Sequence, residues 1–469
     1  MKFEDLKGKN VGILGLGREG QAVWRQIRKR FPGQAVSFFA ESKSPDEFVS
    51  QLNPDLDHCY NGPFECDQLV SFDVLIRSAG ISPYREVLTE LRTLGVPFTT
   101  ANSLWFAENP GAKTICVTGT KGKSTTAALI AHLINHSGHR ACLTGNIGRP
   151  MLDCDPSGVD WWVIELSSYQ LSDLQARTDI GVLLNLSHEH VDWHGSVEAY
   201  RADKLRLSEL VVKDGLVANH SDPVLLESLK VRLKRAGTSE LGDISWFNSD
   251  RGWVADKASV SYTPAVDEAP TVRIGAPESL PGQHNMQNLA AALTVLEKTG
   301  LHCQNIQAVL DAFTGLPHRL ERLGTLNSVS YVDDSISTTP VSVTAALETL
   351  DSGSIVLLLG GLDRGLAWDE FAASLWAHRP HAIITMPDNG PVIFRAIQQS
   401  MDLTGAELPA GLHAVNNLRQ AVALAQQLVP LNGCILLSPG APSFPHFRDF
   451  EDRGNQFAQF AGIGKAANN

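Results

Sequence analysis

Thr114 to His132 reads TICVTGTKGKSTTAALIAH, and its residue types and order suit the gripping of a phosphate. An apolar run stops at Gly119, a short basic loop follows, and Ser124 and Thr125 lead into an apolar helical pattern. A strand, a Gly-containing loop and a helix in that order aim backbone N–H groups and the helix dipole at one point, a preformed anion site. Gly119, Thr120, Lys121 and Gly122 form the loop, Lys123 can reach terminal phosphates, and a hydroxyl of Ser124 or Thr125 can ligate Mg²⁺. The loop is shorter than the usual G-x-x-x-x-G-K-S/T pattern, so the flanking strand and helix carry the reading, which is a nucleoside triphosphate site.

A second Gly-rich turn, GLGREG from Gly15 to Gly20, follows KNVGIL and precedes the helical QAVWRQIRKR, in the order of a dinucleotide-binding turn. Glu41 closes the next strand-like run, VSFFAE, where an acid can accept ribose hydroxyls. The pattern promises only a phosphate near a helix N-terminus, so NAD and a nucleotide diphosphate such as UDP both satisfy it.

In VIELSSYQL, Glu165 ends a buried-looking strand, with Ser167, Ser168 and Gln170 just beyond it. An isolated charge is costly to bury, so this carboxylate must be paired or bound to metal, and Mg²⁺ at the phosphate loop would meet that need. NLSHEHVDWHG places His188, Glu189, His190, Asp192 and His194 within seven residues after another strand. Their spacing does not match a zinc site on a helix; at a strand end, contact with metal or phosphate is the better reading for at least one of them. Lys204, in EAYRADKLRL, reads from its own surroundings as a solvated surface lysine. Asn285 and Asn288 lie at i and i+3 in PGQHNMQNLAAAL; they suit either hydrogen bonds to adenine or phosphate, or a helix cap and a core-facing amide.

The elements that must position these residues alternate along the chain. VGILGLG, DVLIRSAG, TICVTGT, WWVIELSS, IGVLLNLS, SIVLLLGG, AIITMP and CILLSPG are apolar runs separated by amphipathic segments, the mark of parallel sheets covered by helices on both faces. Several end in Gly or Ser at their C-terminal edge, where open α/β sheets place their ligands. ANSLWFAENPGAK (101–113) and TGLPHRLERLG (314–324) break the alternation and are the expected domain boundaries. Between them ISWF, WVAD, ASVSYT and TVRIG suggest one antiparallel flap over 242–282.

Composition narrows the partners. The formal charge of −12, with no concentrated basic patch, argues against nucleic acid. No window approaches the eighteen apolar residues of a membrane helix, and MKFEDLKGKN lacks the order of a secretion signal, so a cytoplasmic protein is expected. Seven cysteines without a C-x-x-C pair fit neither a disulfide framework nor a zinc site.

Taken in order, GTKGKST, GNIGRP, ELSSYQL, SHEHVDWH, AYRADKLR, GQHNMQN, TGLPHR and LLLGG resemble the motifs of the Mur ligases, which build peptidoglycan precursors. The resemblance covers essentially the whole chain, and the GLGREG half is most similar to the branch that adds glutamate to UDP-N-acetylmuramoyl-L-alanine. It implies an α/β protein of three domains: a Rossmann-like UDP-substrate domain over 1–102, a central P-loop ATPase-like domain with a small antiparallel flap over 103–315, and a Rossmann-like glutamate domain over 316–469. The implied chemistry is an acyl phosphate made from ATP and the substrate carboxylate, then attacked by the amine of glutamate, with domain closure to exclude water.

The same resemblance assigns residues. Lys123, Glu165, His190 and Lys204 would be catalytic. ATP would meet Gly119 to Thr125, Asn285, Asn288, Arg319 and Asp334, with His318 beside Arg319 at the start of the last domain. The UDP substrate would meet Gly15, Leu16, Gly17, Arg18, Glu41, Ser78, Gly80, Ile81, Asn146, Ser167, Gln170 and His190, which resolves the GLGREG ambiguity in favour of UDP. Two Mg²⁺ ions would be held by Ser124, Glu165, His190 and Lys204, the last as a carbamate that turns a cation into a carboxylate-like anion. Thr338, Arg364, Ser443, Phe444 and Phe450 would hold glutamate.

The sequence departs from the family pattern in its last third. Asp333-Asp334-Ser335-Ile336 stands where N-D-S-K is usual, Arg364 of GGLDRG replaces a lysine, and Phe444 follows SPGAPS. Arginine is a wide, bidentate carboxylate clamp and lysine a point charge, so the exchange moves the bound carboxylate. DSISTTP resembles the L-glutamate branch that works with a separate epimerase, so L-glutamate is expected, with D-glutamate as the alternative. The resemblance implies a monomer. More distant readings are a folylpolyglutamate synthase-like ligase, an NAD-dependent oxidoreductase using GLGREG, and a nucleotide-sensing binding protein.

Overall fold

The computed structural model describes all residues except 42–45, 188–190, 236–243, 265–270, 278, 281, 351–353 and 465–469. The chain separates into two compact units, Met1–Phe313 and Thr314–Asn469.

The first unit begins with five parallel strands, Val11–Leu14, Val36–Ala40, Asp57–Asn61, Val74–Arg77 and Phe98–Thr100, in the order 3-2-1-4-5. The order turns at the first strand, which opens a crevice between its C-terminal end and that of Val74–Arg77; Gly15 and Ser78 stand there. A six-stranded sheet follows, all parallel, in the order Ser245–Phe247, Leu216–Asn219, Ile180–Leu183, Thr114–Thr118, Trp161–Glu165, Ala141–Gly145. Thr114–Thr118 is central, with the ends of Ile180–Leu183 and Trp161–Glu165 on either side. One apolar core runs from Phe3 to Ile244 through both sheets, with Trp105 and Trp162 stacked edge-on at 4.7 Å.

Two local expectations fail. Ala101–Glu108, read as part of a boundary loop, is a helix whose N-terminus is capped by Thr100 Oγ1 accepting from Ser103 N at 3.1 Å. Its first six residues are all buried, so it has no polar face to give a helical period. ISWF was expected in the antiparallel flap, yet Ser245–Phe247 joins the edge of the parallel sheet; the flap proper is Gly252–Ala255, Ser259–Thr263 and Val272–Gly275. A short strand pattern records burial but not the partner strand.

The second unit is one six-stranded sheet: Glu321–Leu326, Val329–Asp333, Cys434–Leu437, Ile355–Leu359, Ala382–Thr385 and Leu412–Ala414, with only the first pair antiparallel. Helices cover both faces, each over its own apolar core. The all-apolar strand Ile355–Leu359 lies inside, as its unbroken pattern requires. Among the described residues no helix is long and apolar enough to cross a membrane.

Candidate active site

The phosphate loop sits at the end of the central strand, where both flanks constrain it. Thr120 N donates to Asn185 O at 3.0 Å, Lys121 N to Asn185 Oδ1 at 2.8 Å, and Ser187 N to Thr120 Oγ1 at 2.9 Å. Gly122 has φ +82°, a left-handed value that favours glycine, and starts the helix Lys123–His136 with no capping side chain. The helix Arg18–Arg30 likewise starts at Gly17 without a side-chain cap. Both helix starts therefore lack the side-chain oxygen that usually takes the first N–H groups, which suits them to an anion. Lys123 Nζ donates to Thr120 O at 2.9 Å, which places the ammonium over the loop.

Glu165 ends the neighbouring strand, in register with Val117, and is 1% exposed. Asn146 Nδ2 donates to its Oε1 at 2.8 Å, and Asn146 N donates to its carbonyl at 2.9 Å. Its other oxygen, Oε2, is buried and has no hydrogen-bond partner. A carboxylate oxygen left so is costly unless a cation meets it, and a hard oxygen donor beside a phosphate loop with Ser124 and Thr125 fits Mg²⁺. Glu165 and Asn146 are thus brought together. His190 lies outside the described residues, with His188 and Glu189.

Lys204 corrects the surface reading. It is 2% exposed, and its Nζ donates to Gly119 O at 2.8 Å while lying 5.0 Å from the Tyr200 ring centre. The helix Val197–Leu205 turns Tyr200, Asp203 and Lys204 inward together, the i, i+3, i+4 face. Tyr200 OH meets Thr120 Oγ1 at 2.8 Å, so this helix is locked to the loop from two side chains.

Asn288 is buried against the loop, and Asn285 reaches it: Asn288 Nδ2 donates to Asn285 Oδ1 at 3.2 Å. Neither caps the helix Gln283–Thr299, whose N-cap is Gly282.

The GLGREG turn is shaped by close approach. Ser78 Oγ donates to Gly15 O at 3.0 Å, and a methyl on Gly20 would lie 2.3 Å from that carbonyl. Arg18 Nη1 donates to Gly148 O at 2.8 Å, within GNIGRP. Gly17 and Gly80 are exposed, whereas Leu16 and Ile81 are buried. Glu41 is clamped by Arg85, Nη1 to Oε1 at 2.5 Å and Nη2 to Oε2 at 2.9 Å, and that hydrogen bonding holds its carboxyl below the usual range. Ser167 Oγ accepts from Gln170 N at 3.2 Å, and Gln170 Nε2 donates to Glu19 Oε1 at 2.7 Å. Glu19 Oε2 accepts from Ala79 N at 3.2 Å, so Glu19 joins the two sheets' ligand edges.

In the second unit Arg319 and Asp334 are neighbours. Asp334 is fully buried and accepts from Leu320 N, Ser337 Oγ and Ser438 Oγ; burial pushes its carboxyl up to about 6, against these donors and the Arg319 charge. His318 Nδ1 meets Asp333 Oδ2 at 2.7 Å, and Phe450 packs edge-on to His318. His318, Glu321 and Asp333 form the one cluster of potential metal ligands among the described residues, already hydrogen-bonded within itself. Arg364 and Thr338 are brought together: Arg364 Nη2 donates to Thr338 O at 3.1 Å. The Pro442 carbonyl accepts from Leu362 N at 3.0 Å, so buried Ser443 lies by the GGLDRG segment, and Phe444 stands 56% exposed.

Several participants escaped sequence reasoning. Arg77 is buried and grips Asp173 with Nε at 2.8 Å and Nη2 at 2.5 Å, while Nη1 donates to Ile81 O. Nη1 also donates to Ser78 O at 3.2 Å, so the guanidinium fixes the Ser78–Ile81 loop. The spacing of Tyr200, Asp203 and Lys204 was the signal available for that helix face. Nothing local marked Arg77 or Glu19.

A family model described as Mur ligase middle domain matches residues 117–296, and one described as Mur ligase, glutamate ligase domain matches 318–440. A relative from Xanthomonas campestris pv. campestris (strain 8004), named UDP-N-acetylmuramoyl-L-alanine--L-glutamate ligase, is 39% identical over 100% of this chain and 98% of its own. One of the same name from Salinispora tropica is 34% identical, covering 98% of both chains. Among solved structures, MurF from Acinetobacter baumannii matches with TM-score 0.60 and 16% identity over 96% of this chain and 93% of its own. The UDP-N-acetylmuramate-alanine ligase MurC from Thermotoga maritima gives 0.58 and 18% over 96% and 98%. At such identities these structures speak for the fold.

Proposed function

The chain belongs to the Mur ligase family, and from that premise we propose that it joins L-glutamate to the carboxylate of UDP-N-acetylmuramoyl-L-alanine with cleavage of ATP, a step of peptidoglycan precursor synthesis. The observation that carries the reading is full-length likeness, at 39% identity, to a relative named for that substrate pair.

In this reading residues 1–102 bind the UDP-linked substrate, 103–315 bind ATP and 316–469 bind glutamate. The γ-phosphoryl group passes from ATP to the muramoyl-alanine carboxylate, giving ADP and an acyl phosphate. The amine of glutamate attacks the acyl carbon, and the tetrahedral intermediate expels phosphate to leave the amide. Charge accumulates on the transferring phosphoryl oxygens, so the Lys123 ammonium and the N–H groups that start its helix do the stabilising work. Ser124 and Glu165 would hold Mg²⁺, with His190 and Lys204 for a second ion; the metal, when bound, neutralises phosphate charge. Burial of Lys204 beside the phosphate loop supports a carbamate there, because a carbamate would offer an Mg²⁺ ion an anionic oxygen. Arg364 and Thr338 hold the glutamate side chain. ATP and a nucleotide-linked substrate place the reaction in the cytoplasm, and use of L-glutamate calls for a separate epimerase afterwards.

The test supplies UDP-N-acetylmuramoyl-L-alanine, ATP, Mg²⁺ and L-glutamate. One phosphate released per amide formed, with the product heavier by one glutamyl residue, supports the reading. Phosphate release without that product overturns it.

A further inference from the structure

His194 is buried and bonded at both ring nitrogens: Nδ1 meets Asp203 Oδ2 at 2.7 Å, and Nε2 meets Ser168 Oγ at 3.0 Å. The carboxylate accepts, so Nδ1 carries the hydrogen and the ring presents Nε2 to the serine hydroxyl. The order Ser, His, Asp is that of a hydrolytic triad, but Ser168 is 2% exposed and cannot meet a substrate. Asp203 also takes the Tyr84 hydroxyl, 2.7 Å from each oxygen, and this bond together with burial raises the Tyr84 phenol. Asp203 immediately precedes Lys204, whose Nζ touches the phosphate loop at Gly119 O.

The residue before His194 packs against it, the two rings 4.5 Å apart. Trp193 stacks on Tyr169 at 4.2 Å, its Nε1 donates to Gly80 O at 3.0 Å, and its carbonyl accepts from Ser82 Oγ at 2.7 Å. Residues 78–84, which follow the strand Val74–Arg77, the helix after Glu165 and the Lys204 helix therefore converge on two adjacent residues. Ser78, Gly80, Ile81, Gln170 and Lys204 on these segments belong to the expected binding sets, whereas Trp193, His194 and Asp203 do not.

We infer that His194 is a positioning residue for the ligase reaction proposed above: by anchoring Asp203 through Nδ1, it fixes the turn of the helix Val197–Leu205 that presents Lys204 to the phosphate loop. The bond through Nε2 to Ser168 is secondary. Helix phase is set by few contacts, and about 1 Å of misplacement at a reacting group costs on the order of a hundredfold in rate.

The two bonds can be separated. In His194→Asn the amide nitrogen takes the place of Nδ1 and keeps Asp203; in His194→Gln it takes the place of Nε2 and keeps only Ser168. Lys204 accessibility is read by acetic anhydride labelling and peptide mass spectrometry, normalised to exposed Lys213, in the full chain without substrates and in CO₂-free buffer, where Lys204 carries a free amine. We expect labelling of Lys204 to rise at least fivefold in His194→Gln and to stay near wild type in His194→Asn. Turnover follows the same order, with kcat reduced tenfold or more in His194→Gln while the KM for ATP stays within twofold. Equal effects in the two variants, or wild-type labelling in His194→Gln, overturn the inference. If His194→Gln fails to fold, Asp203→Ala removes the carboxylate that His194 Nδ1 holds while leaving the Nε2 bond to Ser168; a rise in Lys204 labelling supports the anchoring role, and wild-type labelling overturns it. Labelling needs no ligase activity, so an inert wild type would defeat the function while leaving this result readable.

Discussion

A methyl group on Gly122 would lie 2.2 Å from Asn288 Oδ1: the helix Gln283–Thr299 closes on the phosphate loop over a residue that can carry no side chain. The left-handed φ of +82° adds about 1–2 kcal/mol against any L residue there. Gly122→Ala should therefore lower the melting temperature and reduce phosphate release by about a hundredfold, near 3 kcal/mol in the barrier. Adding Asn288→Ala should recover part of the melting temperature, since it removes the clash but leaves the dihedral strain. A Gly122→Ala protein as stable and active as wild type would mean that the loop is not held as described.

Glu165→Gln should leave the fold intact, because its carbonyl can still accept from Asn146 Nδ2. It should shift the Mg²⁺ dependence of phosphate release to higher concentration and cut the rate at low Mg²⁺ by about tenfold or more, about 1.4 kcal/mol. An unchanged Mg²⁺ titration would reassign the buried Oε2 to some other partner.

Arg364→Ala should raise the KM for glutamate by about tenfold with kcat nearly preserved, the loss of one charged hydrogen-bond contact at about 1.5 kcal/mol. Arg364→Lys should fall between, since lysine supplies charge without the fork. A glutamate KM that does not move in Arg364→Ala removes this residue from the carboxylate site.

Asp334 gives a pH signature. Its folded carboxyl titrates near 6, above the unfolded value, so folding favours the protonated form at low pH and loses that advantage as pH rises from about 4 through 6. A displacement of about two pH units corresponds to roughly 3 kcal/mol against the folded state at pH 7.5. Asp334→Asn, which cannot ionise, should gain in melting temperature relative to wild type on going from pH 4.5 to pH 7.5. The same difference at both values would mean that Asp334 is not ionised at a cost.

Much of this was legible in the sequence, and for identifiable reasons. Strands such as Thr114–Thr118 and Ile355–Leu359 show themselves because a buried parallel strand must be apolar at every position. GTKGKST and GLGREG are readable because a phosphate demands glycine and a helix start within a few residues. Ala101–Glu108 was hidden because a helix buried nearly all round shows no period, and Ser245–Phe247 because three residues cannot name a partner strand. Lys204 and His194 meet neighbours far off in sequence, Gly119 and Ser168; the spacing of Tyr200, Asp203 and Lys204 marks a shared helix face but does not name what that face meets.

An ATP-driven ligase selective for L-glutamate is tested by the initial rate of amide formation with each enantiomer. UDP-N-acetylmuramoyl-L-alanine, ATP and Mg²⁺ are given with L-glutamate or D-glutamate in separate reactions, and phosphate and product mass are followed together. Stoichiometric phosphate and product are expected with L-glutamate, at a kcat/KM at least about a hundredfold above that with D-glutamate, near 3 kcal/mol of discrimination. Faster turnover with D-glutamate, or no product with either, would contradict it.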